Sequence, residues 1–482
     1  MTRRMVSPWA RRAVLWSLLL CAGLGFLPSH GAAGEGRGYV TVSTASFVSS
    51  STCVDDPPGG RAATRRNGTS AVLRLTHRHG PCGPAPASAS ALERPSLLDT
   101  LRADQRRAEY IQRRVSGAAA AQARGLQLGG SKSATFPANL GYSIGTLQYV
   151  VTVSLGTPAV AQTMEVDTGS DVSWVQCKPC PSPPCYGQKD PLFDPTRSSS
   201  YSAVPCSASA CSQLALYSYG CSGGQCGYVV SYGDGSNTTG VYSSDTLTLT
   251  GSDALKGFLF GCGHAQQGLF SGIDGLLGLG RLGQSLVSQA SASYGGVFSY
   301  CLPPTPNSVG YLTLGGPSST SGFSTTPLLS ASNGPTFYIV MLTSISVGGQ
   351  QLAIDASVFS TGAVVDTGTV VTRLPPTAYG ALRSAFRAAM APYGYPAAAS
   401  TGILDTCYDF SSYGTVTLPT VSLTFSGGAT MNLGAAGIIT GGCLAFAPTG
   451  GDSSASILGN VQQRSFELRF DGNTVGFMPG SC

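Results

Sequence analysis

This 482-residue chain predicts an all-β protein of two like lobes with a cleft between them. Three observations point there. Charged residues are 11% of the chain, against roughly 25% in an average soluble domain. Glycine (64) and proline (30) make up about a fifth of it, yet 42% is hydrophobic, so turns are plentiful and packed cores remain possible. A short acidic loop also occurs twice. Coiled-coil, helical-array and collagen-like architectures are excluded by this composition.

The repeat begins at Tyr149–Leu155, a strand by its Val and Thr content, closed by Gly156-Thr-Pro158. A second strand, Thr163–Asp167, runs into Thr168-Gly169-Ser170. Some two hundred residues on, Ala363-Val-Val-Asp366 leads into Thr367-Gly368-Thr369. Each copy has a later apolar echo, Gly275-Leu-Leu-Gly278 after the first and Ile457-Leu-Gly459 after the second. Such a unit is too long for a solenoid repeat and reads as a duplicated lobe. The expected lobes are 140–326 and 327–482.

Charge divides the chain differently. Residues 1–139 hold 18 Lys/Arg and 7 Asp/Glu, whereas 140–482 hold 10 and 16. The first part is thus basic by eleven charges and the second acidic by six, the pattern of an interaction tail or a removable segment. Arg3, Arg4, Arg11 and Arg12 precede an apolar run over Ala13–Leu27 and then small residues, so 1–33 is expected to be a signal peptide. That run is shorter than the ~20 residues of a membrane span, and no span is expected elsewhere.

Residues 34–139 are expected to be a basic pro-segment, rich in Arg, Ala, Ser and Pro and poor in long strands. Within it Leu97, Leu101, Ala108, Ile111 and Val115 share one helical face, with Arg102, Arg106, Arg107, Arg113 and Arg114 assigned to the remainder. A basic amphipathic helix suits nucleic acid, a membrane surface or simply solvent. Ahead of an acidic domain it also suits a segment that lies across that domain's cleft and is later removed.

Fifteen cysteines include Cys21, Cys53 and Cys82. The twelve left are Cys177, Cys180, Cys185, Cys206, Cys211, Cys221, Cys226, Cys262, Cys301, Cys407, Cys443 and Cys482. An even count behind a signal peptide implies disulfides and an oxidising compartment. Cys177-Lys-Pro-Cys180 would pass for half a zinc site, but no His lies near it, and no metal is expected.

Paired acidic loops suit hydrolysis without a metal or covalent nucleophile. Two carboxylates about 3 Å apart cannot both ionise, so they share a proton and supply both a base for water and an acid for a carbonyl. Gly169 and Gly368 would permit a tight backbone there. Thr168 and Thr367 offer hydroxyls to tie the loops together, and Ser170 and Thr369 can hydrogen-bond the carboxylates from outside.

These residues carry a resemblance. From about Gly141 to Cys482 the chain resembles pepsin-like aspartic proteases, specifically the plant nepenthesin-type branch. By that resemblance Asp167 and Asp366 are the catalytic acids and Tyr232, in Tyr232-Gly-Asp-Gly-Ser236, is a flap tyrosine with Trp174 behind it. Residues 177–226 look like the branch's cysteine-rich insertion, and Thr76-His-Arg-His-Gly-Pro-Cys82 like a pro-segment motif. The resemblance implies bridges 177–180, 185–262, 206–226, 211–221, 301–482 and 407–443.

Other motifs are weaker. Gly278-Leu-Gly-Arg-Leu-Gly283 fits a nucleotide loop, but no acidic residue follows about 20 positions on. Gly141-Tyr-Ser-Ile-Gly145 fits a serine-hydrolase elbow, but His264 is the only histidine after residue 139 to serve it. Asn67 and Asn237 are glycosylation acceptors by pattern.

The expected protein is a secreted aspartic endopeptidase made as a zymogen, monomeric, acting on polypeptides, without a cofactor. The expected address is the cell-wall space, with vacuole or plastid as alternatives. The mature form is expected to bind no nucleic acid. Two rivals are a catalytically silent secreted inhibitor on the same fold and a plastid nucleoid protease that uses its Arg-rich segment on DNA.

Overall fold

Alternation of apolar and polar residues builds the strands, which pair mostly antiparallel among the described residues. The computed structural model describes residues 38–47, 52–54, 70–83, 96–117 and 149–482, the last except 181–184, 233–234, 252, 269, 271, 317–319 and 331–333. The expected signal peptide, Asn67 and the Gly141–Gly145 motif lie outside the described residues. No described helix is long and apolar enough to cross a membrane.

The N-lobe core forms around β3 (Tyr149–Leu155), β4 (Val160–Asp167) and β5 (Trp174–Gln176). β3 and β4 pair antiparallel from Val150↔Glu165 to Leu155↔Val160. The echo strand Gly275–Gly278 then runs parallel to β4, with Gly278 opposite Asp167. The C-lobe repeats this plan: Ala363–Val365 lies parallel to Ser456–Leu458, with Val365 opposite Leu458. The two-lobed β architecture expected from the duplication is the one found.

The basic segment is more deeply built in than its composition suggested. β1 (Tyr39–Ser43) pairs antiparallel with Thr415–Pro419. β2 (Ala71–His77) is a central strand that sequence reading missed. It pairs along its length with Val309–Leu314 and at its end with β3, through Thr76↔Val150 and His77↔Tyr149. Beyond Val309–Leu314 the same sheet continues through Phe298–Cys301, Phe466–Phe470 and Thr474–Pro479. The sheet thus joins the lobes, and its apolar side chains, including Leu73, Leu75, Phe298, Leu312 and Phe470, are buried.

Helix α1 (Leu97–Val115) forms where the helical periodicity predicted it. Ser96 caps it by accepting from the Asp99 N–H at 3.1 Å, with Asp99 in the first turn and Arg113 and Arg114 in the last, as the helix dipole favours. Leu101 packs among Val370, Val371, Leu404 and Val461, and Ala108 and Ile111 against Phe337, Ile339, Val364 and Ile457.

Among the described residues seven disulfides join Cys53–Cys82, Cys177–Cys262, Cys180–Cys185, Cys206–Cys221, Cys211–Cys226, Cys301–Cys482 and Cys407–Cys443. The last two match the expected pairs. The expected 177–180, 185–262, 206–226 and 211–221 are corrected. Strand pairing is the reason in the first case: β5 runs parallel to Asp253–Gln267 with Val175 opposite Cys262, which carries Cys177 to Cys262 and leaves Cys180 to Cys185.

Candidate active site

Asp167 ends β4 and Asp366 follows Ala363–Val365, so each strand delivers a carboxylate to the junction of the lobes. Both side chains are buried. The hydrogen bonds around them are nearly a mirror pair. Asp167 Oδ2 accepts from the Ser170 hydroxyl at 2.6 Å and Oδ1 from the Gly169 N–H at 2.9 Å. Asp366 Oδ2 accepts from the Thr369 hydroxyl at 2.6 Å and Oδ1 from the Gly368 N–H at 3.2 Å.

The threonines cross over. Thr168 Oγ1 accepts from the Thr367 N–H at 3.0 Å and donates to the Val365 carbonyl at 3.2 Å. Thr367 Oγ1 accepts from the Thr168 N–H at 3.1 Å and donates to the Val166 carbonyl at 3.2 Å. Each loop therefore satisfies buried backbone groups of the other, fixing the carboxylates relative to each other.

The glycines have a different reason from the one the sequence suggested. Neither Gly169 nor Gly368 is among the glycines with positive φ. What they supply is space, since a Cβ on Gly169 would lie 2.7 Å from Asp366 Oδ1. The echo turns act the same way: a Cβ on Gly459 would meet the Val370 carbonyl oxygen at 2.7 Å.

Trp174 and Tyr232 meet on the N-lobe side. The Trp174 indole N–H donates to the Tyr232 hydroxyl at 2.8 Å, and Phe270 packs edge-on against both rings. Burial, with the Asp167 charge adding to it, holds the Tyr232 hydroxyl far above its usual value, so it stays protonated. Gly233 and Asp234 of the expected flap lie outside the described residues. Asn237 is half-buried in the adjoining hairpin, paired with Ser231 and Gln267. His264 places its Nδ1 3.1 Å from the Pro179 carbonyl oxygen, outside the acid pair.

Between the two carboxylates lies a residue that sequence reading had assigned to the charged outer face of the helix. Arg107 of α1 is buried, and its Nη2 donates to Asp167 Oδ1 and to Asp366 Oδ1, each at 2.7 Å. Its Nε donates to Asp366 Oδ2 at 3.1 Å. Burial alone would lower the Arg107 pKa, but the two carboxylates outweigh it and raise it well above its ordinary value. A second insertion was also missed: Asp104, one turn earlier, meets Arg373 at 2.8 Å. A third is the buried pair of Arg78, from the Thr76–Cys82 motif, with Glu165 of β4. The signal for the first two was present, because 101, 104, 108 and 111 fall on one stripe at helical spacing, with 107 beside 108.

Two β lobes with one acidic loop each, tied at their junction, define a bilobal acid-pair protein. The models described as Xylanase inhibitor N-terminal and Xylanase inhibitor C-terminal match residues 149–316 and 337–479. An aspartyl protease family protein of Arabidopsis thaliana is 42% identical over 478 residues, covering 96% of this chain and 98% of the relative. The aspartic proteinase nepenthesin-2 of Nepenthes gracilis is 36% identical over 366 residues, covering 70% and 78%. The crystal structure of soybean Basic 7S globulin superposes with a TM-score of 0.56 at 22% identity, over 69% of this chain and 91% of that one. That last likeness is one of fold. The chain belongs to the aspartyl protease family.

Proposed function

We propose that Asp167 and Asp366 are the proton-sharing acids of this aspartic-type endopeptidase, and that residues 34–139 form a pro-segment holding it latent. The carrying observation is the mirrored set of bonds from Ser170, Gly169, Thr369 and Gly368, which aims two carboxylates at one point. With the pro-segment gone, the pair holds one proton and a water. The ionised member takes a proton from the water as its oxygen attacks the scissile carbonyl carbon, and the other member donates to the carbonyl oxygen. The resulting gem-diol passes a proton to the amide nitrogen, the C–N bond breaks, and the pair is left with its single proton. Which acid holds that proton belongs to the pair and not to either residue. Tyr232 and Trp174 would close over the bound peptide and exclude water.

Latency follows from Arg107, which occupies the hydrogen-bonding positions that water and carbonyl would need. Relatives named as proteases and an intact acid pair favour an enzyme over a silent inhibitor. The seven disulfides among the described residues support an oxidising, secretory route. The test is to replace either acid by Asn and assay peptide hydrolysis after the pro-segment is removed. Each variant should lose activity by about 10³-fold or more, since the acids act as one unit, and a statine peptide mimicking the gem-diol should inhibit the unmodified enzyme. Near-normal activity in either variant refutes the assignment.

A further inference from the structure

Helix α1 carries two charged side chains into the floor of the cleft, and only Arg107 goes to the acid pair. Asp104 is fully buried. Its Oδ1 accepts from the Val370 N–H at 2.6 Å, and its Oδ2 from Arg373 Nη2 at 2.8 Å and from the Val371 N–H at 3.4 Å. The neighbouring Gln105 Oε1 accepts from Arg373 Nη1 at 2.8 Å.

Arg373 is 1% exposed, and both hydrogen-bond partners of its guanidinium sit on α1, while its Nε has none among the described residues. When the helix leaves, a guanidinium and two peptide N–H groups face the vacated space, all acceptor-seeking. An uncompensated buried charge is costly, so a ligand that brings a carboxylate there is favoured. Val370 and Val371 follow directly on the Asp366 loop, so this space adjoins the acid pair.

We propose that Arg373 and the N–H groups of Val370 and Val371 form an acid-binding subsite that takes an aspartate or glutamate side chain of the polypeptide substrate, with Asp104 occupying it in the closed form. The word substrate rests on the protease reading above. The helix also supplies a ruler. Asp104 and Arg107 are three residues apart, about 4.5 Å along a helix axis, which an extended peptide covers in one to two residues at about 3.3 Å each. The acidic side chain therefore falls within two residues of the bond that is cut.

The experiment reads binding, so that it stands apart from hydrolysis. Site-specific protease sequences are inserted at positions 95 and 118, the folded full-length chain is cut, and the released helix is removed by gel filtration. Peptides with a reduced, uncleavable central bond, identical except for Glu or Gln at each of the four positions around it, are then titrated by calorimetry at pH 5.5. At one position Glu should bind at least tenfold more tightly than Gln. That ratio should fall to near one in Arg373→Gln and persist in part in Arg373→Lys, which keeps the charge if the neutral variant folds poorly. A ratio near one at every position, no peptide binding at all, or a preference unchanged in Arg373→Gln overturns the proposal. Cleavage of the Gln peptide with an ordinary amide bond reports separately on the protease reading.

Discussion

Arg107 and Asp366 meet as a two-toothed fork, Nε to Oδ2 at 3.1 Å and Nη2 to Oδ1 at 2.7 Å, while the same Nη2 also reaches Asp167. A planar guanidinium fits this arrangement where an ammonium would not. One side chain thereby engages both acids. Because those acids hold its pKa far up against the opposing effect of burial, Arg107 stays charged at any working pH. Release of the helix as pH falls is therefore expected to come from loss of charge across residues 140–482, which hold 16 Asp and Glu.

Replacing Arg107 by Met should therefore abolish latency. Removing one partner of a buried ion pair costs about 3–5 kcal/mol, so the helix should dock some hundredfold or more weakly. The uncut chain should then hydrolyse peptides under conditions where the unmodified chain is silent, with fragment size followed on a gel. Arg107→Lys should lie between the two. A Met variant as latent as the parent would show that the plug does not sit where it matters.

Asp104 carries the opposite sign. Burial pushes its carboxyl above the usual range, against the pull of Arg373 and the Val370 and Val371 N–H groups. The docked helix thus binds this proton more tightly than the released one. Its contribution to docking is fully present below the free value near 4 and is lost as pH rises through the raised docked value. Asp104 therefore resists acid release. Asp104→Asn removes that resistance along with the Arg373 ion pair, so the variant should convert at a higher pH and over a narrower range. The fraction converted at fixed time against pH measures both, and an unchanged curve would count against this account.

Which parts of this were legible follows from the physics of each. The acid loops were readable because strand, turn and echo recur in order, and the limits of α1 because its apolar spacing is regular. Arg107 was not, since an arginine among arginines reads as solvated until the carboxylates it meets are known, and these lie 60 and 259 positions away. β2 was obscured by its surroundings, although Val72 and Arg74 alternate with the buried Ala71, Leu73 and Leu75. The disulfide pairs failed where cysteines crowd. Cys221 and Cys226 face each other across the hairpin, yet each bonds outward, to Cys206 and Cys211.

Asp274 should make the N-lobe more tolerant of acid. Its carboxylate accepts from the N–H groups of Thr163 and Asp190, beneath the strand that ends in Asp167. Burial first, and then the Asp190 side chain, push its pKa up to about 7. A raised carboxyl stabilises fully below its unfolded value near 3.8 and loses that contribution as pH rises through about 7. The loss is at most about 1.4 kcal/mol per pH unit traversed. The melting temperature of the full chain should fall from pH 4 to pH 7.5 more steeply than that of Asp274→Asn. Parallel curves would remove Asp274 from the account.

The crossed threonines should be costly to lose. In Thr168→Val the shape is kept, but the Thr367 N–H and the Val365 carbonyl lose their partner in a buried site. In Thr367→Val the same happens to the Thr168 N–H and the Val166 carbonyl. A buried group left unsatisfied costs about 1–3 kcal/mol, so either change should lower the melting temperature clearly. Because both hydroxyls serve one junction, the double variant should lose less than the two single losses combined. Activity after removal of the pro-segment should fall as well, through the spacing of Asp167 and Asp366, and restoring a hydroxyl with Ser in place of Val should recover part of both. A Val variant that melts with the parent would mean that the loops hold their positions without the crossed bonds.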